Sequence, residues 1–175
     1  MPQAVVHFVI PIVLGILIWK AYANKKPFPL AYALALGIGG MLPDIDYAVF
    51  WPLYSLGIVS DLALVHRTYT HSLFFPLALL LIGLVFVKTR IEIKKSNLGL
   101  LVLLVSAGSL THIVLDALIS GYVMPFYPLS LIELGTGFLE GVQVELRQTV
   151  MATLDGIVFI ALIISLSLTK KLTSL

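Results

Sequence analysis

The seven residues His66-Arg67-Thr68-Tyr69-Thr70-His71-Ser72 stand directly ahead of an apolar run, LFFPLALLLIGLVFV, at residues 73–87. Two of the chain's four histidines fall inside this heptad. The pairing reads as an imidazole-rich turn on the mouth of a membrane helix, with the span itself at about residues 71–87. Pro76 lies near the start of that span, where a missing N–H falls among groups that have no helical partner anyway. His66 and His71 are five positions apart, about 140° around an ideal helix. They do not share a helical face, so at least one must come from the turn, which Thr70 or Ser72 could cap.

Composition extends the reading to the whole chain. Of 175 residues, 59% are hydrophobic and only 11% are charged, against about a quarter charged in soluble domains. Several apolar runs reach the roughly 17–25 residues that cross a hydrocarbon core. The expectation is an all-α, polytopic membrane protein forming one membrane-embedded domain over residues 1–175. Its five transmembrane helices are expected at about 4–19, 30–42, 71–87, 98–118 and 150–168. Interfacial or re-entrant segments are expected at about 47–60 and 122–131, where aromatic residues and prolines cluster as they do at headgroup level. The chain has no cysteine, which excludes disulfides and thiolate metal sites. The start of the chain has no basic segment, and His7 and Pro11 punctuate its first apolar run, so a cleavable signal peptide is not expected.

The charges are sorted by side. Nine of the eleven Lys and Arg residues fall at 20–26, 88–95 and 170–171. With five spans these ends share one face, and the positive-inside rule makes that face cytoplasmic. The expected topology is a multi-pass cell (inner or plasma) membrane protein with its N-terminus outside and its C-terminus in the cytoplasm. The opposite face holds Arg67, Arg147, eight of the nine acidic residues and all four histidines. Depth agrees with side. From Lys25 back to His7, from Lys26 to Asp44, from Lys88 back to His71 and from Lys95 to His112, the separation is 17 or 18 residues, or roughly 25–27 Å of helix. Four spans therefore bring a His or Asp to one level, near the outer edge of the hydrocarbon core. Ionisable groups at such depth are costly and mark function.

Several of these groups have ligand spacing. His112 and Asp116 are an i, i+4 pair on one helical face; Asp116 could equally orient His112 by a hydrogen bond. Asp44 and Asp46 flank Ile45 after Pro43, and either could bind an ion or simply cap and solvate a helix end. His7 matches the others in depth. Asp155 reads as a supporting or helix-packing residue. Arg67 suits an anionic group, since a guanidinium fork matches phosphate, or serves as a headgroup anchor. Imidazole combined with carboxylate suits Zn, with Mn or Fe as alternatives. Neither H-E-x-x-H nor G-x-S-x-G occurs, so zincin and serine-hydrolase chemistry is not indicated.

Three motifs in order carry a resemblance: Gly40-Met41-Leu42-Pro43-Asp44-Ile45-Asp46, the heptad from His66, and Thr111-His112-Ile113-Val114-Leu115-Asp116. With His7, they resemble the YdjM-like, LexA-binding, inner-membrane metal-dependent hydrolases over roughly residues 1–130. A more distant similarity is to zinc-dependent phospholipase C. It would place Asp44, His66 or His71, His112 and Asp116 at one metal, with His7 and a bridging Asp116 at a second. The chain departs from those enzymes after Asp116, where no further histidine occurs.

The resulting expectation is a membrane hydrolase with its site at the extracytoplasmic interface, acting on a phosphoester or lipid headgroup through a metal-activated water. His7, Asp44, Asp46, His66, His71, His112 and Asp116 are the candidate ligands or ligand orienters, enough for about two divalent ions. Asp44, His66, His112 and Arg67 are the candidate catalytic residues. Membrane lipids and a small-molecule or lipid phosphoester are the expected partners, with no nucleic acid. The alternatives are a non-catalytic metal-binding membrane protein or transporter, or a regulatory protein-binding membrane protein. The near absence of ionisable residues from the cytoplasmic halves of the spans argues against conduction.

Overall fold

The computed structural model describes residues 4–22, 28–60, 66–89, 91–93 and 96–173. Its helices are α1 (Ala4–Tyr22), α2 (Leu30–Met41), α3 (Ile45–Ser55), α4 (Phe74–Thr89), α5 (Leu98–Leu115) and α6 (Val144–Thr173). A 3-10 turn, Leu42–Asp44, joins α2 to α3, and a five-residue π turn, Asp116–Ser120, extends α5. Two short antiparallel hairpins complete the described chain: β1 (Glu92–Ile93) with β2 (Ser96–Asn97), and β3 (Tyr122–Val123) with β4 (Leu134–Gly135).

Four stretches are long and apolar enough to cross a membrane: Ala4–Tyr22, Leu30–Ser55, Leu98–Ile119 and Val144–Ile164. The fifth, α4, is apolar but has 16 residues, about 24 Å of helix. The protein is therefore the all-helical membrane protein that composition indicates. Residues with Lys25, Lys26, Arg90, Lys94 and Lys95, on which the charge and depth reading leans, lie outside the described residues.

Helix boundaries differ from the sequence reading in three places. Residues 45–55 are helical and continue α2 through the 3-10 turn, instead of leaving the span at 42. Pro43 falls at the first positions of that turn, where its missing N–H costs nothing. Helix α3 then stops just ahead of Gly57, whose φ of 72° is the left-handed conformation that ends helices. Helix α4 starts at Phe74, three residues later than expected, because Thr70 and Ser72 do not cap it. The Thr70 hydroxyl donates to Asp46 Oδ2 (2.9 Å) and the Ser72 hydroxyl to Tyr69 O (2.8 Å). Helix α6 starts at Val144 rather than 150, placing Glu145 in its first turn, where a carboxylate complements the helix dipole.

Helix α5 is central, packed against α2 on one side and α4 on the other; α2 packs on α1, and α1 on α6. Its start is fixed by Asn97, whose side chain accepts from Leu100 N–H at 3.1 Å. Glycines let these helices meet backbone to backbone. A Cβ on Gly39 would fall within 3.0 Å of the Val105 backbone, and one on Gly40 would meet the His7 carbonyl and Pro11 Cγ. Such contacts are how helices associate in lipid, where water exclusion does not drive them. In an α-helix Gly39 O would accept from residue 43, but Pro43 has no N–H. The Leu42 N–H and the buried Ser109 hydroxyl (3.0 Å) donate to it instead.

The interior is polar and the exterior apolar. His7, Asp46, His71, Ser72, Ser109, His112 and Asp116 are buried, whereas Leu17, Ile18, Val85 and Ile160 on the outer faces are each more than half exposed. In a soluble protein the reverse holds; here lipid is the solvent that covers those side chains.

Candidate metal centre

The buried polar residues converge at one end of the bundle. His7 is held by α1, Asp44 by the 3-10 turn, Asp46 by the start of α3, His112 by α5 and Asp116 by the first position of the π turn. A π turn widens the helix locally, a feature frequent at functional sites. Residues 66–73 form turns that lie ahead of α4, and both His66 and His71 come from them. The chain bends here with Arg67 at φ 63°, a left-handed conformation that costs a non-glycine residue about 1–2 kcal/mol. The turn is anchored by Leu73 N–H, which donates to Pro125 O at 2.8 Å.

Four donor atoms face one another. His71 Nε2 lies 3.2 Å from His112 Nε2, 3.4 Å from Asp44 Oδ1 and 3.6 Å from Asp116 Oδ2. His112 Nε2 lies 3.6 Å from Asp44 Oδ1 and 3.7 Å from Asp116 Oδ2. Charge-assisted hydrogen bonds are shorter, ~2.7–2.9 Å. A regular tetrahedron with ~2.0–2.1 Å zinc bonds has edges of ~3.3–3.4 Å. The five separations lie close to that edge, a spacing at which the donors could share an ion. The other oxygen of Asp116, Oδ1, lies 3.3 Å from His7 Nε2, and the His7 ring sits over that of His112 with centroids 4.0 Å apart. Two triads result, His7–His112–Asp116 and Asp44–His66–His71, with the donor atoms of each within 4.8 Å of one another.

The remaining polar contacts set tautomers. His112 Nδ1 donates to the carbonyl of Gly40 at 2.6 Å, which leaves Nε2 with its lone pair toward the other donors. The close approach of α2 at Gly40 is what brings that carbonyl within reach. Asp46 faces the Nδ1 atoms of two histidines: Oδ1 is 3.0 Å from His66 Nδ1, and Oδ2 is 3.5 Å from His71 Nδ1. With Thr70 also donating to Oδ2, both Asp46 oxygens are engaged. Asp46 thus occupies the place of a carboxylate that orients ligand histidines. Thr70, which also lies 3.1 Å from His71 Nδ1, carries no signal in the sequence beyond its position in the heptad. Nor does Tyr47, whose ring meets His66 edge-on at 5.2 Å.

Arg67 approaches from the surface, its Nε 3.4 Å from Asp116 Oδ2 with 30% of the side chain exposed. Asp155, on α6, accepts from Val6 N–H at 2.9 Å. It satisfies a backbone donor in the first turn of α1 next to His7 and lies outside the donor cluster, the helix-packing role the sequence allowed. Three carboxylates (Asp44, Asp46 and Asp116) share the cluster with one guanidinium, Arg67, which contacts Asp116. With the imidazoles deprotonated, as metal binding requires, a divalent cation would offset the excess of negative charge.

The architecture and the cluster define a class: a helical membrane protein with buried His/Asp groups able to hold a metal ion. Within that class, the chain belongs to the YdjM inner membrane protein family, whose pattern it matches over residues 3–173. This extends past the motifs at residues 40–46, 66–72 and 111–116 to include α6. No curated protein and no solved structure matches the chain.

Proposed function

We propose that the protein is a metal-dependent hydrolase of phosphoesters, working at the extracytoplasmic face of the inner membrane. The observation that carries the reading is the set of five donor separations of 3.2–3.7 Å among His71, His112, Asp44 and Asp116. His71, His112, Asp44 and Asp116 Oδ2 would hold one ion, with zinc suited to that donor type, and His7 and Asp116 Oδ1 would contribute to a second. Bound there, a divalent ion would supply an activated water and polarisation of the scissile group.

The chain's own residues supply the rest. Asp46 and the Gly40 carbonyl hold His71 and His112 in the tautomers that leave Nε2 for binding. His66, with Nδ1 on Asp46 and a fifth of its side chain exposed, is placed to carry a proton between substrate and solvent. Arg67 binds the anionic group: Asp116 holds only one edge of its guanidinium, and charge-assisted contacts to phosphate are worth about 1.5–3 kcal/mol. The choice of phosphoesters rests on Arg67 and on the distant resemblance of the motif order to zinc-dependent phospholipase C.

The test is hydrolysis of a phosphodiester panel by detergent-solubilised, zinc-loaded protein. Wild type is expected to turn over, and Asp44→Ala and His112→Ala to lose activity together while staying folded. Variants that stay folded and as active as wild type would refute the assignment. A reporter fused after Leu175 tests orientation: activity only on the outside of the cell would reverse the proposed topology.

A further inference from the structure

The metal cluster is closed on most sides, but Asp44 is different. Its side chain keeps 16% exposure, against 0–5% for His71, His112 and Asp116. What it faces is an apolar groove of about 360 Å³ between α1 and the α2–α3 stretch, within the ~300–1,000 Å³ of small-ligand sites. Ala4 and Phe8 of α1, Ile38 and Met41 of α2, and Ile45 of α3 form its walls, and among the described residues Asp44 is the one charged side chain that lines it. The groove is shaped by a contact the sequence makes possible: the Phe8 ring lies over Gly37, where a Cβ would stand 2.8 Å from the ring's Cδ2. Ile38, Met41 and Ile45 are each about half exposed on the surface that faces lipid.

We infer that this groove receives one acyl chain of a membrane phospholipid, whose phosphate then lies at the cluster between Asp44 and Arg67. The inference rests on the hydrolase reading for the fate of the lipid, but not for its binding. Three features select the occupant. The groove opens on a membrane-spanning surface, where the surrounding medium is hydrocarbon. Its lining is apolar up to a single polar end. That end is continuous with the donor cluster: Asp44 Oδ1 is 3.4 Å from His71 Nε2, His71 Nε2 is 3.6 Å from Asp116 Oδ2, and Asp116 Oδ2 is 3.4 Å from Arg67 Nε. A molecule with an apolar chain and an anionic head matches an apolar groove that ends at Asp44, with the donor cluster and then Arg67 beyond it. A soluble phosphoester would have no use for the groove.

A groove of about 390 Å³ between α4 and α5, lined by Leu77, Leu80 and Leu103 among others, supplies the control, because no residue of the donor cluster lines it. The experiment uses full-length, zinc-loaded protein in nanodiscs containing a trace of phosphatidylglycerol with a photoreactive diazirine on one acyl chain. Labelled peptides are mapped by mass spectrometry. Wild type is expected to be labelled preferentially on peptides containing Phe8 and residues 38–45, saturably over unlabelled phosphatidylglycerol. Ile38→Trp and, independently, Met41→Trp should cut that labelling about tenfold, the size expected when an indole displaces about two chain methylenes, with metal content intact. Leu77→Trp should leave it unchanged. Labelling spread evenly over the lipid-facing helices, or unaffected by either groove variant, would overturn the inference. Soluble-phosphodiester hydrolysis by wild type, measured alongside, separates the outcomes. Labelling without hydrolysis leaves a lipid-binding site and removes the hydrolase; hydrolysis without selective labelling removes the groove's role alone.

Discussion

Gly40→Ala tests whether close helix packing builds the metal centre. The added methyl would meet the His7 carbonyl oxygen well inside the 3.0 Å that real Cβ atoms keep, and Pro11 Cγ at 2.9 Å. Ordinary contact begins at about 3.4 Å, so Pro11 alone demands that α1 and α2 part by about 0.5 Å, and the carbonyl demands more. Both obstacles are on helical backbone or a fixed ring, which cannot swing away as a long side chain does. Overpacking of this kind costs about 1–3 kcal/mol. The second effect is on the ion. His7 is on the helix that must move, and His112 is tied to the Gly40 carbonyl by a 2.6 Å bond. Metal–ligand distances tolerate only about 0.2 Å, and losing a partner that orients a ligand histidine lowers affinity about 10–100-fold. The assay is metal content after dialysis against a zinc buffer, with thermal unfolding in the same detergent. Gly156→Ala is the control, since nothing lies within 4 Å of its added Cβ. A Gly40→Ala protein with wild-type zinc affinity and wild-type melting would refute the reasoning.

Three further outcomes follow from single contacts. Asp46→Asn should weaken zinc binding about 10–100-fold without removing a ligand, read as a shift of the zinc titration at unchanged final stoichiometry; loss of one ion per chain would instead make Asp46 a ligand. Arg67→Ala should raise KM or lower kcat/KM on anionic substrates at intact metal content, and Arg67→Gly should do the same while being about 1 kcal/mol more stable than Arg67→Ala, because glycine adopts φ 63° freely; equal melting of the two variants would remove the strain. Asp155→Ala should cost about 0.5–2 kcal/mol, as loss of a helix cap does, with zinc stoichiometry unchanged; loss of metal would place Asp155 among the residues the site depends on.

Much of the site was legible because burying a histidine or aspartate in a membrane helix is expensive, so each one stands out. His7, Asp44, His71 and His112 could be brought to one level by counting residues from basic ends, and the structure brings their side chains together. The i, i+4 spacing of His112 and Asp116 placed both on one face, but not which atoms would converge: Asp116 directs one oxygen to His7 and the other to His71, His112 and Arg67. Asp46 shows the limit. The sequence left it as a ligand, a ligand orienter or a helix-end cap, and the start of α3 aims it at the Nδ1 side of His66 and His71, a distinction of rotation and not of sequence pattern. The same limit hid the continuity of α2 into α3. Pro43 reads as a breaker, and only the geometry of the turn shows that it occupies positions where proline is harmless. The Thr70 contact with Asp46 and the Gly40 carbonyl's contact with His112 were not legible, since a hydroxyl or a backbone oxygen becomes specific only once two distant elements are packed together. Gly40 itself was visible as the first residue of the motif that ends in Asp46, without indicating that it orients His112.

The most direct measurement is elemental analysis of the protein, purified without chelator, beside His112→Ala prepared identically. The expected result is about two zinc-class ions per chain in the wild type and a clear loss in the variant, because His112 Nε2 lies 3.2–3.7 Å from donors in both triads. Wild-type protein that carries almost no metal and rebinds neither zinc nor manganese would contradict the metal centre and the hydrolase reading with it.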